Sequence, residues 1–390
     1  MQTSEREQVS EKPFSIYGDI SKGGKTIRIG FFTDTFLPQR NGVVTSLLNA
    51  GEELTKRGHE VFIFCPKSNI KEFKGVTVHS YPAVKFKPYP EFMIAVPQGR
   101  DKVPRLDVVH THSPFTMGFF GWRVAKFQGI PKVSTFHTLL SEYVGYVSKL
   151  GKTILRPITW EFCRTFYNKH ERLIAPSKTL KKTLRDHEIR KPIEVIPNGI
   201  DVNFFRPFDK NKARKKLRLK GEKIFLSLGR LGHEKNVDIT IQAFKNVDAR
   251  LVIAGRGPAE KKLKKLTTKL GLKNKVIFRG FIPEKLKPLY YSAADALIVA
   301  SEVETQGLVL VEAMACGTPV IGARSGPIPE IIRDGKNGYL FKSKDIGELA
   351  EKIMAFETSQ RMKKNALKTS KNYSIEKCVT KLEEFYRELS

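Results

Sequence analysis

Short apolar runs alternate with amphipathic stretches along this chain, and the alternation occurs twice over. Ile27-Arg-Ile-Gly-Phe-Phe-Thr-Asp34 reads as a strand and Val43 to Arg57 as a helix. Gly58-His59 then turns the chain into the strand Val61-Phe-Ile-Phe-Cys65. Leu106-Asp-Val-Val-His110, Lys132-Val-Ser-Thr-Phe136, Arg172-Leu-Ile-Ala175 and Ile193-Glu-Val-Ile196 continue the set. Strands separated by helical stretches predict a parallel sheet with helices on both faces. Pro197-Asn-Gly-Ile-Asp201 and the linker Phe204-Phe-Arg-Pro207 interrupt the pattern, and a second set follows. Its strands are Ile224–Leu228, Arg250–Ala254, Lys275–Phe278, Ala296–Val299, Pro319–Gly322 and Gly338–Phe341. From about Asp345 the tail reads as three helices without a strand.

A chain of 390 residues is long for one core. The expected fold is α/β, with two Rossmann-like domains facing across a central cleft. The expected boundaries are a flexible extension at 1–25, a first domain at 26–203 and a second at 204–371. The last helix, from roughly 372 to 390, is expected to pack back on the first domain. The opening residues are polar and lack the apolar core of a secretory signal. No apolar run approaches a membrane span. Cys65, Cys163, Cys316 and Cys378 lie far apart, without metal-ligand or disulfide spacing, which points to a reducing interior.

The formal net charge of +29 calls for a partner or an explanation. Nucleic acid, an anionic membrane and anionic substrates are the candidates. Residues 152–191 carry eleven Lys and Arg against four Asp and Glu. Trp160, Phe162, Phe166 and Tyr167 lie among those charges, as in a segment that rests on a membrane surface. The basic runs 210–223 and 261–275 read equally well as solvated helix faces.

The residues with chemical potential cluster at the predicted strand ends. Asp34 leads into the loop that ends at Asn41-Gly42, where a helix begins, so the backbone can approach a phosphate or sugar closely. The dinucleotide fingerprint G-x-G-x-x-G is absent from that loop. His137 closes a strand in Ser134-Thr-Phe-His-Thr138. His110 and His112 end another, but no carboxylate or cysteine accompanies them at ligand spacing. Gly229-Arg-Leu-Gly-His-Glu-Lys235 places Arg230 and Lys235 on a loop whose two cations suit a diphosphate. The glycines of Gly255-Arg-Gly-Pro258 permit close backbone approach, and Gly280-Phe281 ends the next strand. Finally, Glu304-Thr-Gln-Gly-Leu-Val-Leu-Val-Glu312 follows a buried strand and enters a helix. A helix N-terminus suits phosphate, and the two flanking carboxylates suit the hydroxyls of a sugar and a ribose.

Taken in order, these motifs resemble those of retaining glycosyltransferases with the GT-B fold and the E-x7-E signature, the glycosyltransferase family 4 type. The resembling residues are Asn41-Gly42, Phe136-His137-Thr138, Pro176-Ser177, Pro197–Asp201, Gly229-Arg230, Glu234-Lys235, Gly255–Pro258, Gly280-Phe281 and Glu304–Glu312. The resemblance implies that Arg230 and Lys235 grip the diphosphate of a nucleotide-sugar and that Glu304 binds sugar hydroxyls. It implies that the amides of Gln306, Gly307, Leu308 and Val309 hold sugar and phosphate, that Glu312 binds the ribose and that Phe281 and its neighbours hold the base. Asn41, Gly42, Gly229 and Gly257 would line the donor site, and His137 would sit beside the reacting centre. No cofactor and no metal are implied, since the nucleotide-sugar is a substrate.

Thr33-Asp-Thr-Phe-Leu-Pro-Gln-Arg-Asn-Gly-Val43 and Glu304-Thr-Gln-Gly-Leu-Val309 are most similar to diacylglycerol glucosyltransferases, whereas many relatives of this type carry Phe-Gly where Thr305-Gln-Gly307 stand here. That similarity implies UDP-glucose as donor, with GDP-mannose second. It implies a lipid acceptor and a cytoplasmic protein held peripherally on the inner face of the cell membrane. Lys85, Lys87, Trp160, Arg164, Lys181 and Lys182 are then the expected contacts to acceptor and membrane. No helix-turn-helix, zinc knuckle or RNA-binding signature supports nucleic acid as the partner.

Overall fold

The computed structural model describes residues 25–39, 41–85, 93–137 and 151–389. Residues 1–24, Arg40, Lys87 and Thr138 lie outside the described residues. In the first half the strands are β1 Arg28–Phe32, β2 Glu60–Pro66, β3 Glu72–Phe73, β4 Val76–Tyr81, β5 Ala83–Lys85 and β6 Met93–Ala95. They continue with β7 Val108–Thr111, β8 Lys132–Thr135, β9 Arg172–Ala175 and β10 Ile193–Val195. Eight of them form one sheet in the order β10-β9-β8-β7-β1-β2-β4-β3, parallel except where β3 meets β4. The β5–β6 hairpin stands apart. In the second half, β11 Ile224–Leu228, β12 Arg250–Ala254, β13 Val276–Gly280, β14 Ala296–Val299, β15 Val320–Ala323 and β16 Gly338–Phe341 form a parallel sheet. Its order is β13-β12-β11-β14-β15-β16.

Burial explains why these segments choose parallel strands. Every residue of β7, β14 and β15 is buried, as a strand covered by helices on both faces requires. Both sheets also reverse direction of growth once. In the first sheet β1 leads on to β2 on one side while β7 leads to β8 on the other. In the second, β11 leads to β12 and β14 to β15, again in opposite directions. Connections that leave to opposite faces part at the carboxyl ends of the strands and open a crevice there. The β1/β7 and β11/β14 boundaries are therefore the places where this fold can take a ligand.

The chain crosses between the two halves twice, side by side. Ile200 and Ser374 form a parallel bridge, Ile200 N–H donates to Tyr373 O at 2.8 Å, and Ile375 N–H donates to Ile200 O at 3.0 Å. The final helix, Ile375–Arg387, then lies on the first domain. Val379, Leu382, Phe385 and Tyr386 share one core with Ile29, Phe31, Leu47 and Ile63. Arg57 fastens the same helix through Glu383 at 3.2 Å and Glu376 O at 2.8 Å, and Arg172 pairs with Glu388 at 2.6 Å. Phe385→Ala should therefore cost about 3 kcal/mol or more of first-domain stability, although the residue lies near the end of the chain. Chemical denaturation checks this, and an unchanged midpoint would contradict the packing.

Candidate active site

At the β11/β14 boundary two loops face each other. The first, after β11, turns at Gly229, whose φ of +148° disfavours any side chain. A Cβ on the neighbouring Gly255, at φ +144°, would overlap the Gly229 carbonyl oxygen, so the ends of β11 and β12 pack backbone to backbone. Gly257 is fixed in the same way, with a Cβ there only 2.5 Å from Leu231 O. This loop carries both sequence-predicted cations, and each is paired. Arg230 Nη2 meets Glu234 Oε1 at 2.7 Å, and Lys235 Nζ meets Glu304 Oε1 at 2.7 Å. Lys235 thus ties the β11 loop to the β14 loop directly across the crevice.

The β14 loop ends at Gly307, in the left-handed conformation with φ +85°, and the helix Leu308–Ala315 starts from it. No side chain caps this helix, so its first amides are available to an anion at the mouth of the crevice. Glu312, one of the two sequence-predicted carboxylates, is 2% exposed and held inside. Tyr291 donates its hydroxyl to Glu312 Oε2 at 2.6 Å, and Lys287 Nζ lies 3.5 Å from Oε1. Burial works to lower the Lys287 pKa, but Glu312 and Glu284 outweigh it and hold the ammonium above its usual range. The Tyr291 hydroxyl is pushed well above the usual phenol range by burial and by Glu312. The two glutamates therefore have separate partners. Phe281, just past β13, is 59% exposed and offers a free ring face.

The first domain contributes the opposite wall. Asn41 caps the helix Gly42–Lys56 by accepting from Val44 N–H at 3.0 Å, and its amide donates to Thr35 at 2.9 Å. Its side chain is therefore occupied by local structure. Gly42 faces the other domain, since a Cβ there would touch Leu308 Cδ1 at 3.6 Å. The starts of the Gly42 and Leu308 helices thus meet across the seam. His137, just past β8, is buried, and its Nε2 lies 2.9 Å from His112 Nδ1. His110 links Thr135 Oγ1 at 2.7 Å to Tyr386 Oη at 2.5 Å. Burial lowers the His137 pKa from the usual 6.5 to about 4, and holds His110 and His112 well below that usual value. All three are neutral near pH 7, so His137 is a polar, uncharged group there. A cavity of about 40 Å³ is lined by these histidines together with Ser46, Asn49 and Asn198.

Asp34, His112 and Gln306 have partners that the sequence did not reveal. Asp34 is buried and accepts from Ser113 Oγ, Thr116 Oγ1 and Met117 N–H, which holds the start of the Thr116–Gln128 helix. Burial raises its pKa against those hydrogen bonds. Its position at the end of a buried strand was the available signal. His112 was read only as a metal candidate, and the structure makes it the partner of His137. Among the described residues, no three His, Cys, Asp or Glu are placed to hold a metal ion. Gln306 does not turn its side chain to the crevice; both polar ends are bonded to the backbone of Asn198 in the other domain.

The expected membrane contacts need correction. Trp160 is 9% exposed, stacked on His187 at 3.7 Å between ring centroids and against Phe136 at 6.2 Å, so it belongs to the core. It sits on the inward side of the helix Gly151–Tyr167, which the basic and aromatic composition alone could not reveal. Arg164 is paired with Glu161 and Glu188. Lys85 and Lys182 are exposed and Lys181 partly so. Among the described residues of the same helix, the exposed large apolar groups are Ile158 at 59% and Phe162 at 37%. Phe162 continues into Phe115 and Phe119, and Lys169 lies over the Phe119 and Trp122 rings at 5.9 and 5.2 Å. No helix among the described residues is long and apolar enough to cross a membrane.

Two parallel sheets with crevices at their strand-order reversals, facing each other across a seam, define the GT-B architecture. Residues 40–204 match the family model for glycosyltransferase family 4, and residues 209–373 match that for glycosyl transferases group 1. The chain is 36% identical to the alpha-monoglucosyldiacylglycerol synthase of Streptococcus pneumoniae over 334 residues, 81% of this chain and 75% of that one. It is 29% identical to the synthase of the same name from Acholeplasma laidlawii, covering 93% and 97% of the two chains. A GDP-mannose-dependent alpha-mannosyltransferase of Corynebacterium glutamicum is also 29% identical, with 83% and 79% covered. Among solved structures, the Anabaena HepE protein in complex with UDP and glucose superposes with a TM-score of 0.78 at 22% identity, covering 93% of this chain and 100% of that one. The chain belongs to the GT-B glycosyltransferases of group 1 and family 4.

The buried histidines give the site a pH signature. A depressed pKa in the folded state means that the unfolded chain binds more protons between about pH 6.5 and 4. His137 therefore contributes stability fully above that window and loses it as pH falls through it. The melting-temperature difference between the wild type and His137→Gln should move against the wild type from pH 7 to 4. A difference independent of pH would contradict the buried, neutral assignment.

Proposed function

We propose that this glycosyltransferase moves a hexose, glucose first, from a UDP-sugar to a diacylglycerol-type lipid, with retention at the anomeric carbon and without a metal. The observation that carries the reading is the Lys235–Glu304 pair spanning the β11/β14 crevice beside an uncapped helix start. Glu304 and Glu234 pair with the two cations that would meet the diphosphate. When the donor enters, its phosphates take over Lys235 and Arg230, and the amides at Leu308 and Val309 add the helix dipole. Glu304 is then released to accept hydrogen bonds from sugar hydroxyls. Phe281 offers its exposed face to the base, and Glu312 takes the ribose by giving up part of its contact with Tyr291 and Lys287.

In the transfer step the bond from the anomeric carbon to the phosphate oxygen breaks. The acceptor hydroxyl oxygen bonds to that carbon on the same face, and its proton passes to the departing phosphate. Negative charge grows on the diphosphate, so Lys235, Arg230 and the helix amides supply the main stabilisation. Neutral His137 offers a hydrogen bond to the sugar without adding charge.

Support for a lipid acceptor comes from the two monoglucosyldiacylglycerol synthases among the relatives, and from the exposed Ile158–Phe162 face with its neighbouring Lys169. Such a basic, aromatic face suits peripheral attachment to an anionic bilayer, here the inner face of the cell membrane. A second reading, GDP-mannose as donor, draws on the mannosyltransferase relatives.

Lys235→Ala and Glu304→Ala should each lower transfer by about 100-fold or more, read by mass spectrometry of lipid product from UDP-glucose and diacylglycerol. Near wild-type rates in both would remove the site assignment. Phe162→Glu should weaken cosedimentation with phosphatidylglycerol vesicles several-fold while leaving donor binding intact. Equal vesicle binding would remove that face as the membrane contact.

A further inference from the structure

We propose that Gln306 is a positioning residue: it sets the angle between the domains and so brings His137 to the Lys235–Glu304 pair. The inference rests on the reading of the cleft as a donor site. The Gln306 carboxamide accepts from Asn198 N–H at 2.7 Å through Oε1 and donates to Asn198 O at 3.0 Å through Nε2. A primary amide carries a donor and an acceptor in one plane, so it engages both backbone groups of one residue, as a strand neighbour does. The Gln306 side chain is 2% exposed, its partner Asn198 is half-buried, and both bonds are part-buried.

Both ends of this clasp are placed to matter. Gln306 lies between Glu304 and Gly307, the residue that opens the Leu308 helix. Asn198 lies between β10 and the double crossing at Ile200. Its Oδ1 accepts from Ser46 Oγ of the Gly42–Lys56 helix at 2.5 Å, and it lines the cavity beside His112 and His137. The clasp therefore joins the donor loop of one domain to the surroundings of His137 in the other. Two contacts flank it. Ser177 Oγ donates to Thr305 O at 2.8 Å, and Glu330 accepts from Lys178 and Thr179 N–H at 3.0 and 2.6 Å. The Ser177–Thr305 bond is part-buried, as are both Gln306 bonds, whereas the two Glu330 bonds are exposed. Gln306, 2% exposed, is the most buried of these side chains and bonds through both of its polar ends.

Thr305-Gln306 thus acts on domain geometry rather than on acceptor choice. Loosening the clasp leaves the donor contacts within the second domain intact but lets His137 drift from them. A loss of that kind lowers kcat more than it raises KM for the donor.

Two variants test this. Gln306→Met keeps the size and loses both hydrogen bonds. Gln306→Glu keeps the acceptor for Asn198 N–H and loses the donor. Small-angle scattering without substrate should show a larger radius of gyration for both. Transfer kinetics should show kcat at least tenfold lower, with donor KM within about twofold. Circular dichroism should show secondary structure equal to the wild type. Wild-type scattering in both variants overturns the proposal, as does a rise in donor KM that accounts for the whole loss. If Gln306→Met does not fold, Gln306→Glu carries the same test. The scattering needs no substrate, so an error in the donor assignment alters the kinetics and leaves the scattering result standing.

Discussion

Everything the site does depends on the reversal of strand order at β11/β14. That reversal sends the two following connections to opposite faces and leaves their loops apart at the carboxyl edge. The chain then uses the gap in a specific way. Gly229 and Gly255 let β11 and β12 end backbone to backbone, which brings Arg230 and Lys235 to the lip. Gly307 turns the opposite loop directly into a helix start. Cations on one side and helix amides on the other are the groups that the proposed diphosphate seat requires. Glu234 and Glu304 pair with those cations at 2.7 Å each.

The first domain supplies a complementary wall built on burial rather than charge. His110, His112 and His137 are kept neutral by removal from water, and Tyr386 of the returning tail helix supports His110. The tail thus has two functions. It completes the core around Phe31 and Leu47, and it holds the histidine layer from behind. The double crossing at Ile200 and Ser374 explains how one chain places its last helix on its first domain without a long loop.

Much of this was legible in the sequence because buried parallel strands write themselves as short apolar runs, and strand ends carry the glycines that turns require. The two-sheet α/β fold and the cleft loops with Arg230, Lys235 and Glu304 follow from those signals. Side-chain direction does not. Trp160 lies on the inward side of its helix, while Phe162, two residues on, is exposed. Asn41, which the resemblance puts in the donor site, also caps its helix. Gln306 looked like part of an acceptor preference and is bonded to Asn198, more than a hundred residues away. Contacts of that separation leave no periodicity to read.

The proposed reaction takes a UDP-sugar into the crevice and delivers its hexose to a lipid hydroxyl. The most direct measurement offers the protein UDP-glucose and GDP-mannose together, with diacylglycerol in anionic vesicles and with soluble sugar acceptors, and identifies every product by mass spectrometry and anomeric proton coupling. The expected main product is α-linked glucosyl-diacylglycerol. Sugar appearing only on soluble acceptors, or a β-linked lipid product, would contradict it.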